Sequence, residues 1–140
     1  MTMSIVMVAA SALIVGGLGT AHLVLTFRGP KLLPRDLAVK TAMEGCSPVI
    51  TRQTTYWRCW IGFNASHSLG AILFGVVYGY LAVAHPAFLF QSGFLLVLGF
   101  VTLLAYVALA KAYWFITPLT GMSSSLVLYA AGVLLAWSGL

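Results

Sequence analysis

Four long apolar runs, separated by short polar stretches, dominate the pattern of this 140-residue chain. A helix that crosses the hydrocarbon core of a bilayer needs about 20 mostly apolar residues. Residues 4–27, 57–84, 89–110 and 117–138 meet that requirement. No segment alternates apolar and polar positions as barrel strands do. Lipid demands that every backbone group be satisfied within the protein, which leaves helices as the candidate. The pattern therefore predicts an all-α integral membrane protein, a four-transmembrane-helix bundle forming a single domain over residues 1–140. The third span follows Pro86 after "AHPAFLF". Pro118 suits the opening turn of the fourth, where its missing N–H would be unpaired in any case.

The first apolar run has no basic segment before it. Its length matches a bilayer span rather than the shorter core of a signal peptide, so a retained helix is expected. Between the first and second spans, residues 28–56 are too many for a simple connector, and loops of that length usually carry structure or function. Within them "LLPRDLAVKTAMEGC" reads as a short helix. Pro34 suits its first turn, Asp36 lies near the positive end of its dipole, and Gly45 suits its stop. Asp36–Lys40 and Lys40–Glu44 are each four apart and able to pair on one face. Leu33, Leu37 and Met43 can rest on lipid in an interfacial helix, or the helix can cap the bundle end. Trp57 and Trp60 have the character of interfacial anchors at the next membrane entry.

Composition removes the soluble alternative. Hydrophobic residues make up 61% of the chain and charged residues 6%, against roughly a quarter charged in a soluble domain. The mean hydropathy is +1.04. A soluble domain of this size still exposes roughly a third of its unfolded surface, too much to hide such a sequence. Two cysteines, Cys46 and Cys59, form neither a disulfide scaffold nor a CxxC pattern.

Charge then supplies an orientation. The net charge is +5, but it lies beside membrane segments rather than in a basic tail, so no nucleic-acid partner is implied. Arg28, Lys31, Arg35, Lys40, Arg52 and Arg58 lie in or next to the first loop, and Lys111 lies at the end of the third span. In a four-pass arrangement all seven fall on one side, which the positive-inside rule makes cytoplasmic. Both termini are then expected outside, in the periplasm if the membrane is a bacterial inner membrane.

Polar and small residues inside the spans are the candidate chemistry. Gly62, Ser66 and Gly70 form one four-residue-spaced stripe on the second span, and Ala71, Gly75 and Gly79 form another. Such stripes let helices approach closely. On the first span Ala12, Gly16 and Thr20 make a similar stripe, while Ser11, Gly19, His22 and Thr26 gather on another side. Counted from the same membrane face at about 1.5 Å per residue, His22 lies roughly 8 Å deep and His67 roughly 15 Å deep. The two histidines are therefore expected at one buried site with Asn64, Ser68 and Thr26 around it.

Two neutral imidazoles can ligate a haem iron or another metal. Histidine with asparagine and serine can instead bind a quinone or a lipid head group, or act in acid–base chemistry. The plainer reading is interhelical hydrogen bonding that holds the spans together. His85, next to Pro86, is expected to be solvated in the outer turn. Tyr106, Tyr113, Trp114, Phe115, Tyr129 and Trp137 fit interfacial belts, or contacts with pigments, quinones or a subunit.

Missing motifs narrow the function. Asp36 and Glu44 are the only acidic residues, so the spans lack the carboxylate that a proton-coupled drug exporter needs. "GGLGT" superficially resembles the opening of small fluoride channels, but the threonine–phenylalanine signature expected in their third helix is missing. No GxSxG, HExxH or P-loop occurs, which leaves hydrolase, zinc-protease and nucleotide roles without a warrant. The expectation is a small accessory subunit that packs with other membrane subunits rather than catalysing alone, with enzyme activity left open. The alternative is a cofactor-, quinone- or lipid-binding membrane protein, or an enzyme of that kind, using an intramembrane His22/His67 polar site.

Overall fold

The computed structural model describes residues 2–138, and among them every regular element is helical. Six helices follow one another: α1 (Thr2–Phe27), α2 (Leu37–Gly45), α3 (Tyr56–Ala84), α4 (Pro86–Gln91), α5 (Gly93–Tyr113) and α6 (Ile116–Trp137). Among the described residues, α1, α3, α5 and α6 are long and apolar enough to cross a membrane. Three of them begin and end within two residues of the boundaries expected from the sequence.

The remaining span, expected over 89–110, differs at both ends, running from Gly93 to Tyr113, and most at its start. The chain from Pro86 forms the separate helix α4, and α5 begins only at Gly93. Ser92 causes the break. Its backbone is extended, with φ −90° and ψ 94°, and its hydroxyl accepts from Leu95 N–H, an N-cap that starts a new helix. Pro86 opens α4, where a missing donor costs nothing.

The chain divides into two compact units, residues 1–18 with 71–140 and residues 19–70. Helices α1 and α3 contribute to both. In the first unit Val8, Ala12, Val15, Ala71, Phe74, Tyr78, Leu96, Leu103, Met122 and Tyr129 are among the buried residues of one core. Small residues make its closest approaches. A Cβ placed on Gly75 would lie 2.7 Å from Gly16 Cα and 2.8 Å from Ala12 O, so α1 and α3 meet backbone to backbone there. Gly99 similarly leaves space for the Tyr129 and Tyr78 rings. Ser11 and Ser125 are both fully buried. Ser125 donates to Ser11 O at 3.1 Å, so the Ser11 hydroxyl donates in turn to Ser125 Oγ at 2.7 Å.

Tyr129, grouped by sequence with the interfacial aromatics, is instead 1% exposed. Its hydroxyl donates to Leu96 O at 3.1 Å, and Tyr78 donates to Leu95 O at 2.8 Å. Buried phenols need such acceptors, and the first turn of α5 supplies them.

In the second unit the chain leaves α1 through Gly29, whose φ of 84° favours glycine. Helix α2 starts one residue after Asp36, whose side chain accepts from Ala38 N–H at 2.8 Å. Pro34 thus precedes the helix rather than occupying its first turn. Lys40 pairs with Glu44 at 3.4 Å and also lies 5.3 Å from the centre of the Trp57 ring. Trp57 and Trp60 stack at 5.1 Å with planes 9° apart. No residue of α2 is buried.

Candidate functional site

The candidate site residues His22, Thr26, Asn64, His67 and Ser68 belong to one unit, and the structure draws several of them into one cluster. His22 Nε2 lies 2.8 Å from Asn64 Oδ1. Asn64 is held by its own helix, since its Nδ2 donates to Trp60 O at 2.8 Å. That bond turns Oδ1, an acceptor only, toward the imidazole. His22 therefore donates from Nε2, and in the neutral ring Nδ1 carries the lone pair. The His67 ring stands edge-on to the His22 ring, with centroids 5.6 Å apart and planes at 90°. All three side chains are half-buried.

Thr26 and Ser68 belong to the cluster in a different sense. Thr26 donates to His22 O and Ser68 to Asn64 O, each at 2.8 Å and each four residues back along its own helix. Their only hydroxyl protons are spent on backbone carbonyls, an arrangement that suits a hydroxyl in an apolar helix. Their hydroxyls are satisfied along their own helices; the histidines and the amide provide the exchangeable chemistry.

That chemistry is of two kinds. Two metal–nitrogen bonds of about 2 Å each can join imidazoles at this separation. A fixed partner on the other nitrogen, here Asn64, is the usual way to set a ligating histidine's tautomer. Among the described residues, however, no group of three or more histidine, cysteine, aspartate or glutamate side chains is placed to hold a metal. Any ion would draw its remaining ligands from water or another molecule. Equally, a carbonyl or hydroxyl of a small ligand can hydrogen-bond at the same place.

No protein-family model, curated protein or solved structure matches this chain.

Elsewhere the structure forms polar contacts that the sequence pattern did not anticipate. The Ser11–Ser125 pair and the Tyr78 and Tyr129 carbonyl contacts all lie within the first unit. Ser4 Oγ is fully buried with no hydrogen-bond partner. His85 is exposed, and its Nε2 lies 3.0 Å from the Tyr80 hydroxyl.

The two small-residue stripes of α3 have different surroundings. Gly75 and Gly79 face Gly16 and Ala12, with a Cβ on Gly79 3.6 Å from Ala12 Cβ. Around Gly62 a Cβ would meet nothing within 4 Å, and Ser66 and Gly70 are exposed.

Proposed function

We propose that this chain is an integral membrane protein of four spans that serves as a small accessory subunit of a larger membrane assembly. The observation that carries the reading is the uncovered Gly62–Ser66–Gly70 stripe. Helices in lipid gain nothing from hydrophobic exclusion of one another, so they associate through close van der Waals contact at small residues. The chain uses one such stripe of α3 for its own packing and leaves the second available to another helix. Mild-detergent purification tests this. A defined set of membrane partners should be recovered with the wild type, and Gly62→Leu or Ser66→Leu should lose them while insertion persists. Identical recovery with both variants would count against it.

A second reading draws on the His22–Asn64–His67 cluster, in which a fixed amide sets the tautomer of one histidine beside another. It makes the chain a cofactor-, quinone- or lipid-binding protein. An absorption spectrum and lipid extraction of the purified protein test that reading. A chromophore or bound quinone lost in both His22→Ala and His67→Ala would support it.

A further inference from the structure

The long loop of the second unit is closed at its base and apolar at its tip. Tyr56 N–H donates to Cys46 O at 2.9 Å, which brings together the two ends of the segment between α2 and α3. Inside it, Thr51 N–H donates to Pro48 O at 3.2 Å, closing a tight turn whose central residues are Val49 and Ile50. The Thr51 hydroxyl accepts from Gln53 N–H at 3.1 Å and stiffens the returning limb of the loop. Relative exposure is 105% for Val49 and 91% for Ile50. Turn centres favour glycine, asparagine and aspartate, whose backbones or side chains suit the turn. Two aliphatic β-branched residues presented there are costly in water and well placed to enter something apolar.

The surrounding charge indicates what that apolar phase borders. Six of the seven basic residues and both acidic ones lie between Arg28 and Arg58, leaving four positive charges in excess. Arg28, Lys31, Arg35, Arg52 and Arg58 are all exposed. Leu37 and Val39 of α2 add exposed apolar area to the same segment, at 70% and 47%. Basic residues beside exposed aliphatics and tryptophans match the boundary of a bilayer that carries anionic head groups.

We infer that the loop is a second membrane contact: Val49 and Ile50 dip into the acyl boundary while the flanking arginines and lysines engage anionic phospholipid head groups. The inference rests on the four-span reading, because the spans bring the loop to the membrane surface. The apolar tip supplies depth and the cations supply preference for lipid charge. A protein partner seated on the same tip would not require lipid charge.

The test uses the full chain in nanodiscs of phosphatidylcholine, with and without phosphatidylglycerol. In a Cys46→Ser/Cys59→Ser background, an environment-sensitive fluorophore is placed at Val49→Cys, with Gln53→Cys as a comparison site. The Val49 probe should shift to the blue and be quenched by brominated acyl chains when phosphatidylglycerol is present. The Gln53 probe should remain water-like. Raising salt to 1 M, where the Debye length falls to about 3 Å, should remove the dependence on lipid charge. Arg35→Gln/Arg52→Gln should weaken it at low salt. A water-like, unquenched Val49 probe in both lipids would overturn the inference, and so would quenching indifferent to lipid charge. Release of the chain from membranes by alkaline carbonate would instead overturn the four-span reading, whatever the probe shows.

Discussion

His22 and Asn64, 42 residues apart in sequence, share a 2.8 Å hydrogen bond between helices α1 and α3. Both ends of the bond are specified: Trp60 O orients the amide, and the amide orients the imidazole. A double-mutant cycle should therefore find coupling. With His22→Ala, Asn64→Ala and the double variant, unfolding in mixed micelles should give a coupling energy of about 0.6 kcal/mol, with roughly 1.7 as a ceiling. Strict additivity would show that the bond is not formed in the folded protein.

The glycine contacts set an order of sensitivity. Gly75→Ala pushes a methyl group against Gly16 Cα and Ala12 O, backbone atoms that cannot move aside, and should destabilise by roughly 1–3 kcal/mol. Gly16→Ala should cost less, because its Cβ would stand 3.4 Å from Gly75 Cα. Gly17→Ala, with nothing within 4 Å, should be neutral or gain up to about 1 kcal/mol from helix entropy. Melting temperatures in one detergent would rank the three, and an equal response at Gly75 and Gly17 would contradict the close approach.

At the Tyr129 contact, Tyr129→Phe keeps the ring against Phe74 and Tyr78 but removes the donor to Leu96 O. The expected loss is about 1 kcal/mol. Tyr129→Ala empties a fully buried position and should cost about 3–5 kcal/mol. Chemical unfolding of the two variants side by side separates the hydroxyl from the ring.

Topology offers a direct chemical readout. Cys46 is exposed in the loop before α3, and Gln91 is exposed at the end of α4. With Cys59→Ser, a membrane-impermeant maleimide should label Cys46 and Gln91→Cys from opposite sides of a sealed vesicle. Labelling of both from one side would rule out the four-span arrangement.

Length and apolar continuity made the long helices legible, because crossing a bilayer is a demand that composition alone can express. The start of α5 was less so: "QSG" is only a brief polar interruption between the apolar "AFLF" and "FLLVLGF", and Ser92 ends the continuity by a cap that depends on backbone geometry. Tyr129 was misplaced because aromatic identity outweighed spacing. Met122, Ser125, Tyr129 and Gly132 recur at three- and four-residue intervals, and that periodicity marks the buried face of α6. In the candidate site, residue types and depth pointed to His22, Asn64 and His67. The role of Thr26 and Ser68 was hidden, since a hydroxyl that bonds four residues back looks the same in sequence as one aimed at a ligand.

The buried serine clasp carries a consequence for the order of events during synthesis. Ser11 and Ser125 lie 114 residues apart. At roughly 5–20 residues per second, the second hydroxyl leaves the ribosome on the order of ten seconds after the first. In the later part of that interval, once Gly75 has been made, α1 has access to α3 but lacks the partner on α6. The order of synthesis predicts an early α1–α3 pair with an open seam, which α6 shuts once it has been made. A nascent chain stalled before Ser125 should remain susceptible to membrane proteases, and release of the complete chain should confer resistance.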